Sequence, residues 1–275
     1  MSGFFFAMNY DNRPIGIFDS GIGGLTIADG LIKLMPHESL IYFGDTQHLP
    51  YGDKSSKTVQ RYSLGISEFL VKNDCKAIVI ACNTASALAY DIVVEKFPNI
   101  KVYNVIDPVV IKVASTQVSK VGVVATRATI KSDIYARKIK ELNPSIETIS
   151  LATPLLVPMI EEGFHNQTVS HEIISSYLSK PQLRNIEELV LGCTHYPLIK
   201  EEINQYYNGK VAIFDSPMIV AEQVFKDLKM NGLLSNSEEA HYEFFISDLT
   251  ESFEASAGRF IHYNQIKLNE VKLWG

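Results

Sequence analysis

Short runs of apolar, often β-branched residues recur along the chain, separated by longer stretches whose apolar residues fall three and four apart. The runs at 14–19, 40–44, 77–81, 101–105, 121–125, 147–151, 188–191 and 211–214 predict strands. The stretches at 25–35, 59–71, 85–97, 132–142 and 171–178 carry the helical period and predict helices. Nearly continuous apolar strands alternating with helices are the mark of parallel sheets covered on both faces. The pattern therefore predicts an α/β protein. Beyond Pro217 it changes to a helix at 220–229, a short strand at 242–246 and polar connections, a tail able to cap either part of the chain.

Three strand ends repeat in order. GIFDS at 16–20 is matched by GVVAT at 122–126, and Gly44-Asp45 followed by Pro50 by Ala152-Thr153 followed by Pro158. The third pair is IVIACN at 78–83 and ELVLGCT at 188–194. The offset drifts slowly across the three pairs, as expected of a duplicated α/β half. Two such halves facing each other would bring Cys82 and Cys193 to one cleft from opposite sides. Two adjacent domains with no shared site are the alternative. Ligands of open parallel sheets bind beyond the carboxyl ends of the strands, so the chemistry is sought in the loops directly after them.

The chain has 275 residues, enough for one large or two smaller domains, with 46% hydrophobic and 20% charged residues. The net charge is −6 and no block of Lys or Arg is present, which argues against a nucleic-acid groove or an anionic membrane surface as partner. No apolar run reaches the roughly 20 residues of a membrane-spanning helix. The start, MSGFFFAMNYDNRP, has an aromatic patch at Phe4 to Phe6 but no charged region or cleavage site. It reads as a loosely held extension and not as a secretion signal. Cys75, Cys82 and Cys193 are too few and odd in number for a disulfide scaffold, which points to free thiols in a reducing cytoplasm.

Cys82 ends the apolar run AIVIAC and is followed by NTASALA, a strong helix start. Cys193 ends ELVLGC and is followed by THYPL, where Pro197 suits a first helical turn. Both thiols are thus expected where free N–H groups and a helix dipole favour the thiolate. Asn83, Thr84 and Thr194, with the following amides, could hold a carboxylate there. Cys75, in KNDCK, reads as a small buried hydrophobe. Metal binding is the weaker option, since no CxxC pair or histidine cluster accompanies Cys193-Thr194-His195. The stretch DSGIGG at 19–24 looks at first like a nucleotide loop, but Thr26 stands where a dinucleotide fingerprint needs glycine, and no Gly-Lys-Ser/Thr is present. Asp45, placed where a ribose-binding acid would lie, keeps a nucleotide fold open. The more economical reading makes Asp19 a site carboxylate beside Cys82, with the glycines admitting backbone close to a ligand. Glu161 could play that part beside Cys193 and His195, or simply end a solvated helix with Glu162. His195 could tune Cys193 or assist proton movement, or be a surface histidine.

Together GIFDSGIGGLT (16–26), YFGDTQHLPYG (42–52), IVIACNTASALA (78–89), ATRATI (125–130), LATPLLVPMIEEG (151–163) and LVLGCTHYPLI (189–199) closely resemble the glutamate racemases of the aspartate/glutamate racemase superfamily. The resemblance implies two similar parallel-sheet α/β domains related by pseudo-twofold symmetry, with the active site in the cleft between them. It places one domain at 1–107 plus 216–275 and the other at 108–215. It implies no pyridoxal phosphate, metal or nucleotide cofactor, and glutamate as the small-molecule substrate. Cys82 would take the α-proton from D-glutamate and Cys193 from L-glutamate, with Asp19, Glu161 and His195 as auxiliary residues. Substrate binding would fall to Asp19, Ser20, Tyr51, Gly52, Asn83, Thr84, Thr194 and His195, with Thr126 and Thr129 lining the site. A homodimer and a role in supplying D-glutamate for peptidoglycan in a bacterial cytoplasm are also implied. Ala125, Val109 and the first 13 residues depart from the family pattern, and none touches the proton-transfer residues.

The chemistry has its own logic. Inverting a carbon centre means removing a proton from one face and delivering one to the other, which two fixed thiols can do and one base cannot easily do. An aspartate racemase would keep this site and change the substrate. A pyridoxal-dependent racemase lacks a lysine that stands out at a strand end. A periplasmic-type binding module would also clamp an amino acid between two lobes, and the paired thiols and missing signal peptide weigh against it.

Overall fold

The computed structural model describes residues 10–262 and 267–274, so the aromatic patch at 4–6 lies outside the described residues. Strands β1 (Ile15–Asp19), β2 (Leu40–Gly44), β3 (Ala77–Ile80), β4 (Lys101–Asn104), β5 (Lys120–Ala125), β6 (Glu147–Ala152), β7 (Glu188–Gly192) and β8 (Ala212–Phe214) occupy the predicted runs. Two more, β9 (Tyr242–Ile246) and β10 (Leu268–Glu270), come from the tail. They form a six-stranded sheet in the order β10-β9-β2-β1-β3-β4 and a four-stranded sheet in the order β6-β5-β7-β8. Every pairing is parallel. The order β2-β1-β3-β4 is the order β6-β5-β7-β8 with the same elements substituted as in the three sequence repeats. The two sheets are copies of one topology.

The helices are α1 (Leu25–Leu34), α2 (Ser56–Lys72), α3 (Asn83–Lys96), α4 (Asp107–Ala114), α5 (Arg127–Lys131), α6 (Ile134–Leu142), α7 (Leu156–Glu161), α8 (Thr168–Leu178), α9 (Lys200–Tyr206), α10 (Pro217–Met230) and α11 (Glu251–Ala257). Those of eight residues or fewer, namely α4, α5, α7, α9 and α11, are absent from the sequence prediction, because a helical period needs about three turns to declare itself. The helix predicted at 132–142 begins two residues late: Asp133 sits at φ 55°, in the left-handed region, and separates α5 from α6. Among the described residues no helix is long and apolar enough to cross a membrane.

The tail sides with the first sheet. β9 pairs with β2 from Leu40↔Tyr242 to Gly44↔Ile246, and β10 pairs with β9. α10 packs on α1 so closely that a Cβ on Gly30 would lie 2.8 Å from the Pro217 carbonyl oxygen. A buried ion pair fastens this arrangement. The Lys76 Nζ, at the foot of β3, lies 2.5 Å from Glu38 Oε2 and also donates to the carbonyls of Asp11 and Leu233. Both charged side chains are almost fully removed from water. Their remaining partners, including the Ser235 N–H on Glu38, meet the cost of burying the charges.

Candidate active site

The carboxyl ends of both sheets face one cavity of about 240 Å³. β1 delivers Asp19-Ser20, β3 delivers Cys82, β5 delivers Thr126 and β7 delivers Cys193, as parallel strands aligned in register must. Ser20, Tyr51, Gly52, Cys82, Asn83, Thr84, Thr126, Glu161, Cys193, Thr194 and His195 all line it. Asp19 and Thr129 stand one layer behind, wholly or almost wholly buried. Thr129 reaches the cavity through a cluster of three hydroxyls, 2.9 Å between Thr84 and Thr126, 3.1 Å between Thr126 and Thr129, and 3.3 Å between Thr84 and Thr129. This cluster joins α3 of the first sheet to α5 of the second.

Cys82 caps α3, its sulfur accepting from the Ala85 N–H at 3.5 Å and lying 3.6 Å from Ser20 Oγ. The helix start expected from NTASALA is present, but its effect on the thiol is not. Burial pushes Cys82 up to about 12, the neighbouring Asp19 carboxylate adds to this, and the Ala85 N–H and Ser20 oppose it without prevailing. Desolvation of a charge outweighs one helix end. Asp19 is itself raised by burial, against the pull of His195 and of the Gly24 and Gly21 N–H groups. Gly24 has to be glycine, since a Cβ there would lie 2.4 Å from the Asp19 Cβ.

The surroundings of Cys193 are different. The chain after it forms a short 3₁₀ turn over Tyr196–Ile199, and α9 starts only at Lys200, so no α-helix N-terminus faces the sulfur as THYPL suggested. A histidine stands there instead. His195 Nδ1 lies 3.7 Å from Cys193 Sγ, and its Nε2 lies 2.9 Å from Glu161 Oε1. Burial alone would lower His195, but the Cys193 sulfur and the Glu161 carboxylate together raise it to about 10. An imidazolium can donate from both ring nitrogens, one to each partner. Glu161 therefore ends α7 as a hydrogen-bonded, mostly buried carboxylate and not as a solvated one. Cys75 is a core residue beneath Gly16, as its sequence context suggested.

Asn83 accepts from the Tyr135 hydroxyl at 2.7 Å, which aims its amide, while its buried Nδ2 has no protein partner. That leaves a donor enclosed behind the cavity wall without a protein partner among the described residues, a costly feature of the fold. The sequence reading did not single out Tyr135, Arg127, Asp53 or Val157: Arg127 and Asp53 pair across the two lips at 3.3 Å, Val157 lies inside the 151–163 motif but carries no chemical signature, and Tyr135 is remote in the chain from the Asn83 it holds. Tyr51 is held to the wholly buried Asp45 at 2.6 Å. Asp45 also accepts from Ser247 and pairs with His48, so it is occupied within the fold and is no ribose-binding acid.

Residues 26–224 match the family model for Asp/Glu/Hydantoin racemase. The chain is similar to glutamate racemases of Geobacter metallireducens (43% identity, covering 90% of this chain and 93% of the relative) and of Neisseria meningitidis (40% identity, 95% and 97%). Among solved structures it superposes on glutamate racemase from Francisella tularensis subsp. tularensis SCHU S4 in complex with D-glutamate, with a TM-score of 0.91, 42% identity, and 96% and 98% of the two chains covered. With two copies of one α/β topology closing on a two-thiol cavity, and this likeness along nearly its whole length, the chain belongs to the Asp/Glu/hydantoin racemase family.

Proposed function

We propose that the chain interconverts L- and D-glutamate without a cofactor, with Cys82 and Cys193 as acid/base groups on opposite faces of the substrate α-carbon. One observation carries this reading. Equivalent strand ends of two copies of one sheet topology each present a thiol to the same cavity, and the relatives that match nearly all of the chain are glutamate racemases. From L-glutamate, the Cys193 thiolate takes the α-proton and the Cys82 thiol gives its own proton to the opposite face. The product is D-glutamate, with the thiol and thiolate exchanged. Proton exchange with water restores the starting state, and the reverse reaction uses the same groups in the opposite order.

The surroundings suit these parts. The His195 imidazolium, held by Glu161, faces the Cys193 sulfur, while Asp19 and Ser20 stand beside Cys82. Asn83, Thr84, Thr126 and Thr194 offer fixed polar groups around the cavity, with Tyr51-Gly52 as its wall and Thr129 supporting the hydroxyl cluster. Such preorganised dipoles stabilise the charge that develops as a weakly acidic α-proton leaves. The same reading takes 1–107 plus 216–275 as one domain and 108–215 as the other. It further places the enzyme, as a homodimer, in a bacterial cytoplasm, supplying D-glutamate for peptidoglycan.

The test follows α-proton exchange by NMR in deuterated water from pure L- and pure D-glutamate, with wild type, Cys82→Ser and Cys193→Ser, and no cofactor added. Wild type incorporates deuterium with loss of optical purity, and each variant loses racemisation by at least roughly a thousandfold. Exchange with aspartate and none with glutamate would replace the substrate assignment. Full racemisation by either variant would refute the two-thiol mechanism.

A further inference from the structure

His195 belongs to the second sheet's loop, yet the groups that cage its ring come from elsewhere. Phe260, in the turn after α11, sets its ring edge-on to the imidazole, with centroids 5.4 Å apart and planes at 82°. Its neighbour Arg259 reaches the other member of the pair, Nη1 lying 3.4 Å from the Glu161 carbonyl oxygen. Arg259 also lies so close over Gly163 that a Cβ there would be 2.8 Å from Nη1. Gly163 adopts φ 76°, which turns the chain sharply after α7 and makes room for the guanidinium. Phe260 and Ile261 are buried, each 3% exposed, although the turn that carries them is on the surface. Gly23, from the loop after β1, also abuts the ring and leaves no room for a Cβ, which would lie 2.4 Å from His195 Cε1.

Two adjacent residues of the C-terminal segment thus touch both members of the Glu161–His195 pair, and His195 links Glu161 to the Cys193 sulfur. A ring with one hydrogen bond at each nitrogen can still rock about the line joining them. An edge-on aromatic contact and a backbone wall restrict that motion. Hydrogen-bond geometry at a proton-transfer group is worth a large factor in rate, so the restriction bears on chemistry as well as on packing.

Resting on the racemase reading above, we propose that Phe260, with Arg259 beside it, is a positioning residue for proton transfer at Cys193 and has no such part at Cys82. Cys82 meets Ser20 and the α3 N-terminus and packs in a buried cluster with Phe18 and Tyr51, whereas Phe260 shares its buried cluster with Cys193. The C-terminal segment, whose neighbouring strands β9 and β10 belong to the sheet of Cys82, therefore supports the thiol of the opposite sheet.

The test uses Phe260→Leu and Phe260→Met, two apolar replacements that keep most of the volume and lose the ring, in the full chain. With each enantiomer in protiated and α-deuterated form, kcat falls roughly tenfold in both directions while KM stays within about twofold. The diagnostic lies in the isotope effects. Slowing the Cys193 step raises the substrate isotope effect from L-glutamate, where Cys193 takes the deuteron. It lowers the effect from D-glutamate, where Cys82 takes the deuteron and delivery from Cys193 becomes limiting. Loosening of the whole site would move both effects together, and that result, or unchanged rates, or a loss carried by KM, overturns the proposal. Whichever of the two variants folds suffices, since each makes the same prediction. A wild type that racemises sets these outcomes apart from failure of the racemase reading itself, in which wild type would exchange neither enantiomer.

Discussion

The two thiols of the cavity are related by the fold and differ in their neighbours. Cys82 has a hydroxyl and a buried carboxylate beside it and is pushed up to about 12, whereas Cys193 faces a histidine raised to about 10. Burial thus holds the proton on Cys82, while the Cys193 sulfur has an imidazolium to face. Glu161 helps to keep His195 protonated. In Glu161→Gln that carboxylate is gone, burial pulls His195 down from about 10, and the protonated form is lost at a lower pH. The alkaline limb of the rate profile from L-glutamate should move to lower pH, read from initial rates between pH 6 and 10. Gly23 gives a steric test of the same histidine. Its substitution by Ala forces a Cβ into the imidazole, and kcat should fall roughly a hundredfold with the fold retained on circular dichroism.

At the scale of elements, the C-terminal segment completes the site without carrying any of its chemistry. Ser247, just after β9, donates to the buried Asp45 that also holds the Tyr51 hydroxyl at the cavity wall. The buried pair of Lys76 and Glu38 ties the start of β3 to residue 11 and to the connection between α10 and β9. Replacing Lys76 by Met leaves Glu38 buried without its cation and should cost about 3–5 kcal/mol in urea unfolding. Since Lys76 lies away from the cavity, the folded variant should keep its kcat. A loss under about 1 kcal/mol would mean that water or another cation already serves Glu38.

For the molecule as a whole, the buried titratable groups set how stability varies with alkaline pH. His195 is raised to about 10 from 6.5, so its stabilisation is complete below pH 6.5 and is lost as pH rises through about 10. Cys82 and Cys75 are raised from 9.0 to about 12, so theirs is lost between pH 9 and 12. In both windows the folded chain binds more protons than the unfolded one, and stability falls as pH rises. Urea midpoints at pH 6, 8 and 10 should decrease in that order, and His195→Gln should flatten the step between 6 and 8. A midpoint that rises toward pH 10 would contradict this account.

The amino-acid pattern by itself determined the alternation of strands and helices, because apolar runs buried on both faces leave few other arrangements. Nine of the ten strands of the described residues were readable in this way, and β10, with Leu268 as its one apolar residue, shows no apolar run. The duplication was readable too, since both copies keep small or polar residues at the ends of equivalent strands. Cys82, Cys193 and Asp19 stood out because they end such strands. Asp19 beside Cys82 and His195 near Cys193 were legible too, but the sequence did not reveal that burial outweighs the helix end at Cys82 or that no α-helix start faces Cys193, because both follow from which groups exclude water around each sulfur. Nor did it reveal that Phe260 packs on His195, or that the Asn83 amide is aimed by Tyr135, 52 positions away. These contacts join segments remote in the chain, and local spacing carries no information about which remote side chains meet. Strand ends are a local property of sequence, whereas desolvation and the choice of neighbours exist only once the two sheets have closed on each other.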